Sequence, residues 1–424
     1  MNGTTRTRIT TCPPSKKPTA FLYWANLPFR QRQEEIDPKS VFLEPPASAP
    51  SVHEVPHSQL RCALGGRLRI AGVSVDEPLR IIGDGDRVAD GPVPDGLDDS
   101  GLLEIYQRLV LLRTFDERAV ALQRQGRLGT YPMFSGEEAT QAGPLSACTD
   151  DDWVFPSYRQ GAIGILRGLP PSVIFKYRRG YGGTHGFWNP RRYRVGPSCV
   201  SIGTHLSHAV GVAWAARIKG DAVASLVWFG DGATSEGDFH EAMNFAAVFK
   251  AGTVFFCTNN QWAISTPVAR QTATKTLSEK AVAYGMPAAR VDGFDALACY
   301  EVARAALVRA RNGDGPTLIE AFCYRLSPHA TADDPRRYRD EVESEPWRKL
   351  EPVGRMRAFL ERIGILDEAR NAQIVDEARL MIDEAVREME SVEPPGPAIL
   401  FETIYAGVRL KDFDSALTEL TATE

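Results

Sequence analysis

The chain has 424 residues, 43% of them apolar and 24% charged, with a formal net charge of −5 and a pI near 5.9. That composition suits a globular protein with one large domain plus appendages, and it excludes the basic field that nucleic acid or an anionic membrane surface would need. The seven cysteines, Cys12, Cys62, Cys148, Cys199, Cys257, Cys299 and Cys323, are odd in number, scattered and never paired as Cys-x-x-Cys. They predict reduced thiols, not a disulfide framework or zinc site, and with no apolar leader in residues 1–19 and no apolar run of membrane-spanning length the expected location is cytoplasmic.

Residues 1–97 are rich in Pro, Gly and short polar stretches, with brief strand-like runs only at 68–73 and 79–82, and read as an N-terminal extension or wrapping arm. The texture changes at residue 98. Asp99 or Ser100 can cap a helix whose apolar residues Leu102, Ile105, Tyr106 and Leu109 keep helical spacing, with helical texture lasting to Gly126. From 126 to 339, helical stretches alternate with apolar runs at 223–229, 253–258 and 318–324. Helices are expected over 207–219, closed by Gly220, and over 296–311. This alternation predicts an α/β fold, a mostly parallel sheet with helices on both faces, in a main domain spanning 98–345. Residues 346–424 read as a C-terminal helical region, charged and helical to about 390, with a short apolar segment at 399–405.

The stretch from 223 to 262 carries the chemistry. An apolar strand leads to Gly230-Asp231-Gly232, then comes a helix with Phe239, Ala242, Met243 and Ala246 on one face, then a second apolar strand ending at Asn259-Asn260. In such a βαβ unit, Asp231 and Asn260 lie just beyond the carboxyl ends of parallel strands, where open α/β sheets bind ligands. A carboxylate and an amide oxygen, completed by a backbone carbonyl, two phosphate oxygens and a water, make the six-fold oxygen shell that Mg²⁺ prefers. The glycines allow close approach of backbone to phosphate. A lone Gly-Asp-Gly is weak evidence: Gly83-Asp84-Gly85 has the same letters and reads as a turn. The paired asparagine at the end of the next strand sets the later copy apart, since the corresponding position after Asp84 is Arg113.

The span from Gly-Asp-Gly to Asn-Asn resembles the thiamine-diphosphate motif. Its surroundings are similar to the alpha subunit of pyruvate and branched-chain 2-oxo acid dehydrogenases, the decarboxylating component of those complexes. The resemblance covers about 99–366 and runs through Gly126-Arg127-Leu128-Gly129, Ser135-Gly136-Glu137-Glu138-Ala139, Ser157-Tyr158-Arg159, Asn259-Asn260-Gln261-Trp262-Ala263-Ile264-Ser265, Val291-Asp292-Gly293 and Tyr324-Arg325-Leu326-Ser327-Pro328-His329. It implies a thiamine-diphosphate-binding fold with thiamine diphosphate and Mg²⁺ as cofactors.

By that resemblance, Asp231, Asn260 and the Trp262 carbonyl hold the metal, and Gly230, Gly232 and Ala233 lie near the diphosphate. Tyr158 and Arg159 contact the diphosphate, a role that suits a fixed guanidinium fork. Ile202 takes the place of an apolar wedge beneath the cofactor, although a residue before a helix also fits simple core packing. His329 matches the active-site histidine that contacts the cofactor and assists reductive acylation of the lipoyl group, and His185 resembles a second one. His205, His208 and His240 read as local hydrogen-bonding residues. The implied reaction is oxidative decarboxylation of a 2-oxo acid with acyl transfer to lipoamide on a separate acyltransferase. The glutamate needed at the cofactor's aminopyrimidine belongs to a beta subunit, so the resemblance implies an α₂β₂ heterotetramer. Pyruvate is the expected substrate, from Ser265-Thr266-Pro267-Val268 and Lys275-Thr276-Leu277; the alternatives are a branched-chain 2-oxo acid, acetoin, or a non-catalytic paralogue. Two departures stand out. Ala330 occupies the position where kinase-regulated relatives carry a serine, and Cys199, Ser201 and His205 replace residues of a potassium site, so neither phosphorylation there nor potassium is expected.

Overall fold

A computed structural model of the chain describes residues 77–83, 90–181 and 186–399, with positions 415, 418, 419 and 422. All of these fall within one unit, residues 60–424. The expected features at 68–73, at Asp84-Gly85 and beyond 399 lie outside the described residues, as does His185.

The first long helix, α1 (Asp99–Arg124), is capped by Asp98, one residue before the expected cap. Asp98 is extended, and its carboxylate accepts the Gly101 N–H at 2.8 Å. Leu102, Ile105, Tyr106 and Leu109 are all buried, and Gly126, at φ +72°, turns the chain away after the helix. A short helix, α2 (Ala139–Ser146), follows the Ser135–Ala139 motif. The remaining helices used below are α3 (Pro171–Arg178), α4 (Thr204–Lys219), α5 (Gly237–Val248), α6 (Ala296–Arg311), α7 (Pro352–Arg362) and α8 (Glu368–Glu390). Helix α4 starts three residues before the expected 207 and stops at Gly220, φ +76°. The C-terminal helical region is divided: Pro352 sits at the first position of α7, where its missing N–H costs nothing, and Gly364, at φ +78°, separates α7 from α8.

Five strands, β1 (Trp153–Phe155), β2 (Ser225–Gly230), β3 (Thr253–Asn259), β4 (Ala288–Asp292) and β5 (Thr317–Phe322), form one sheet in the order β1-β2-β3-β5-β4. Every pairing in it is parallel. The three central strands correspond to the apolar runs at 223–229, 253–258 and 318–324. The two flanking strands carry a weaker signal: β1 has three residues, and β4 begins Ala288-Ala289 and contains Arg290. Leu79 extends the sheet at its β4 side, bonding to Arg290 and Asp292 at 2.9 Å each, so the strand-like run at 79–82 is an edge segment.

The central strands are apolar on both faces, as a parallel sheet covered on both sides requires. Leu226, Trp228, Val254 and Phe256 point into a core built with α1, α2, α6, α7 and α8; Val227, Phe229, Phe255 and Cys257 point into a second core with α4 and α5. Among the described residues, no helix is long and apolar enough to cross a membrane, and all five described cysteines are free.

Helix α2 lies tightly against α6 because Gly143 has no side chain: a Cβ there would sit 2.5 Å from the Ala296 carbonyl oxygen and 2.9 Å from the Cys299 Cβ. Gly143→Ala gains about 1 kcal/mol of helix propensity but loses about 1–3 kcal/mol to overpacking against backbone. The expected net result is a lower urea midpoint; a raised midpoint would show that the two helices part at little cost.

Candidate functional site

Because the strands run the same way, the residues that follow them collect along one edge of the sheet. Tyr158 and Arg159 follow β1, Asp231 follows β2, Asn260 follows β3, and Arg325 and His329 follow β5. Paired register carries this through: Gly230 faces Thr258, and Asn259 faces Phe322.

Asp231 opens a 3-10 turn that precedes α5, and is 2% exposed. Its carboxylate accepts a 2.7 Å bond from the Gln271 amide, and burial pushes its pKa up to about 6 despite that bond. Asn260 is also buried. Its Nδ2 donates to Glu137 Oε1 at 2.7 Å, which leaves its Oδ1 to accept the Trp262 N–H at 3.2 Å. The Trp262 carbonyl accepts from Arg325 Nη1 at 3.1 Å, and the Ile264 carbonyl from Arg325 Nη2 at 2.7 Å. A carbonyl oxygen has two lone pairs, so the Arg325 bond does not exhaust it. The loop held by Arg325 is strained: Gln261 and the β-branched Ile264 take φ values of +73° and +54°, a left-handed conformation that such side chains rarely adopt without compensation.

The two glycines of Gly-Asp-Gly differ. A Cβ on Gly232 would meet the Ala263 Cβ at 2.8 Å and Ile202 Cδ1 at 3.8 Å, whereas one on Gly230 would meet no protein atom within 4 Å. Gly232 is therefore required by the approach of the Trp262–Ala263 loop, and Ile202 lies beside it at the head of α4. Ala233 is buried in the core beneath.

On the other side of the edge, Arg159 is 6% exposed. Its guanidinium donates to the Met133 carbonyl, to His329 Nδ1 at 3.1 Å and to the His329 carbonyl at 3.2 Å, and its Nε lies 3.8 Å from Glu137 Oε1. Tyr158 packs its ring edge-on to His329, with centroids 5.9 Å apart. Arginine can only donate, so Nδ1 of His329 accepts and the ring proton sits on Nε2. The His329 N–H donates to Asp333 at 2.9 Å, which fixes the loop. Burial, with the Arg159 and Arg325 cations, lowers the His329 pKa to about 4. The ring therefore stays neutral at physiological pH, with one N–H to offer.

That depression has a sign. The folded chain binds fewer protons at His329 than the unfolded chain between about pH 4 and the ordinary value of 6.5. The contribution to stability is complete above pH 6.5 and is lost as pH falls through the window. The imidazole resonances of His329 are expected to remain those of a neutral ring at pH 5.5; a midpoint at 6.5 by NMR would contradict the burial and charge argument.

The structure thus brings Asp231, Asn260, Trp262, Gly232, Ile202, Tyr158, Arg159 and His329 to one edge. His205 makes a local bond instead, from Nε2 to the Trp228 carbonyl at 2.6 Å, and His240 pairs with the Tyr284 hydroxyl at 2.5 Å. Sequence reading does not single out Glu137, Arg325 or Gln271. The first two stand inside the recognisable motifs, but a charged residue carries no mark in the sequence that it will be 1% exposed. Among the described residues, no group of three or more His, Cys, Asp or Glu side chains is placed to hold a metal. A cation at Asp231 and Asn260 would have to complete its shell with backbone, ligand and water oxygens. A buried carboxylate and amide facing a buried guanidinium is the donor set for a divalent cation carrying an anion, and it fits a metal-bound diphosphate.

The family described as dehydrogenase E1 component matches residues 106–398, more than half of the chain. The 3-methyl-2-oxobutanoate dehydrogenase subunit alpha of Mycobacterium tuberculosis is 43% identical over 338 residues, 79% of this chain and 92% of that protein. The pyruvate dehydrogenase E1 component subunit alpha of Staphylococcus aureus is 40% identical over 322 residues, 76% of this chain and 86% of that protein.

Proposed function

The chain belongs to the dehydrogenase E1 component family, and from that footing we propose that it is the alpha subunit of a 2-oxo acid dehydrogenase complex, binding thiamine diphosphate through Mg²⁺. The observation that carries the reading is the pairing of a buried carboxylate and amide, Asp231 and Asn260, with the buried Arg159 at the carboxyl edge of a parallel sheet. Residues 98–345 would form the cofactor-binding domain, with 1–97 as an extension and 346–424 as a helical region.

In this reading the side-chain oxygens of Asp231 and Asn260 and the Trp262 carbonyl hold the metal. Gly230, Gly232 and Ala233 border the diphosphate, where the missing Cβ of Gly232 keeps the Ala263 loop close. Tyr158 and Arg159 face the same anion, and Arg159 also orients His329. When bound, the cofactor supplies the electron sink that decarboxylation of a 2-oxo acid needs. The protein excludes water around it, with Ile202 as apolar support. His329 presents a neutral Nε2–H for the proton transfers of acyl handover, with His185 as the second proposed active-site histidine. A glutamate against the aminopyrimidine would come from a beta subunit in an α₂β₂ heterotetramer, and the acyl group would pass to the lipoyl group of an acyltransferase component. The proposed location is cytoplasmic.

Two substrates compete. The segments at 265–268 and 275–277 favour pyruvate, while the fuller match to the mycobacterial relative favours 3-methyl-2-oxobutanoate. The test is the ratio of dye-reduction rates on the two acids by the chain co-purified with its candidate beta subunit. A ratio above ten in either direction assigns the substrate. Turnover of acetoin with neither acid active would overturn both.

A further inference from the structure

Asparagine is an ambiguous metal ligand, because its amide oxygen and nitrogen are nearly the same size and exchange places by a half-turn of the side chain. Only the oxygen can bind a cation; the NH₂ group would turn its protons toward it. A site that depends on Asn260 therefore needs something to fix which end of the amide faces inward.

We propose that Glu137 is that positioning residue: it locks the Asn260 amide in the metal-binding orientation and couples it to Arg159. This deepens the reading of Asp231 and Asn260 as metal ligands and rests on it. Glu137 stands in the turn that enters α2, where its N–H donates to the Phe134 carbonyl at 2.7 Å. Oε1 of its carboxylate accepts from Asn260 Nδ2 at 2.7 Å, across 123 residues of sequence. The Trp262 N–H can only donate and meets the Asn260 Oδ1 at 3.2 Å, so the nitrogen is the end that faces Glu137. The same Oε1 lies 3.8 Å from Arg159 Nε, so one buried oxygen joins the residue assigned to the metal and the residue assigned to the anion.

The second oxygen, Oε2, is buried and has no hydrogen-bond partner among the described residues. A carboxyl group 1% exposed with one oxygen unsatisfied is a costly choice for packing alone. The next residue, Glu138, has both oxygens bonded, to Arg113 at 2.6 Å and to the Gly136 N–H at 2.9 Å. A role at the ligand pair accounts for keeping a carboxyl group at position 137.

The test uses the assembled alpha–beta complex, with Mn²⁺ titrated by EPR in the presence of thiamine diphosphate. Glu137→Ala is expected to weaken Mn²⁺ binding about 10- to 100-fold, the usual cost of losing a group that orients a metal ligand. Glu137→Gln, whose side-chain oxygen can still accept from Asn260, should recover most of that loss. A second measurement separates orientation from general damage. Asn260→Asp has no N–H to orient and places a like charge against Glu137, so Glu137→Gln in that background should raise Mn²⁺ affinity. Wild-type affinity in Glu137→Ala, or a loss from Glu137→Gln in the Asn260→Asp background, would overturn the proposal. Asp231→Ala is the control. If it also leaves Mn²⁺ affinity unchanged, the metal site itself is misplaced; if it alone weakens binding, only the role of Glu137 fails.

Discussion

Asp231→Ala is expected to remove thiamine-diphosphate-dependent activity from the alpha–beta complex while leaving the fold intact. The side chain is a buried carboxylate at the start of a 3-10 turn, bonded to the Gln271 amide and, among the described residues, in no ion pair. Burial raises its pKa to about 6, so at neutral pH it is largely ionised in a low-dielectric place, and a divalent cation would be its natural counter-charge. Breaking a buried charge pair by removing one partner costs about 3–5 kcal/mol, which corresponds to roughly 10²–10⁴-fold in affinity. Cofactor titration with Mg²⁺ reads that loss directly. Folding should survive, because the Asp231 carbonyl bond to Thr234 belongs to the backbone and remains. Asp231→Asn, which keeps the shape, should fail almost as badly, since the argument concerns charge.

The second large effect is at His329, and it falls on a different step. Arg159 and Asp333 pin the ring and loop, and the tautomer forced by Arg159 leaves Nε2–H as the group on offer. His329→Ala should leave metal affinity within a few-fold of wild type, because none of the three assigned metal ligands bonds to it. Acylation of a lipoyl domain should fall about 10²–10⁴-fold, the usual range for a positioned acid or base. Dye reduction, which bypasses that transfer, should fall less. Equal losses in both assays would show that His329 acts before the acyl group is passed on, or only through the position of Arg159.

The parts of the fold that were legible in the sequence are those with a strong local pattern. Three central strands and helices α4 and α6 follow from apolar runs and spacing, with Gly220 and Arg311 marking their ends within a residue. The flanking strands β1 and β4 were not legible, because three residues, or an Ala-Ala-Arg run, give no alternation to read. The division of the C-terminal helices was signalled by Pro352 and Gly364 but masked by a dense run of charged helix formers. Of the site, the strand-end placement of Asp231 and Asn260 followed from the βαβ pattern, since a parallel unit puts both at the same edge. What joins them to Arg159 did not. Glu137 reaches Asn260 from the turn that enters α2, across 123 residues of sequence, and Arg325 reaches the Trp262 and Ile264 carbonyls from the end of β5, which lies beside β3. Both are consequences of tertiary packing between segments distant in sequence. The alternating charge and apolar letters around them give no sign of it.

The most direct measurement is reduction of an artificial acceptor by a 2-oxo acid, using this chain, its candidate beta subunit and the two mixed, with and without thiamine diphosphate and Mg²⁺. The account predicts negligible turnover from either chain alone, turnover on mixing, and its loss on chelation of the metal or on Asp231→Ala. A stable complex that binds the cofactor but turns over no 2-oxo acid would contradict it.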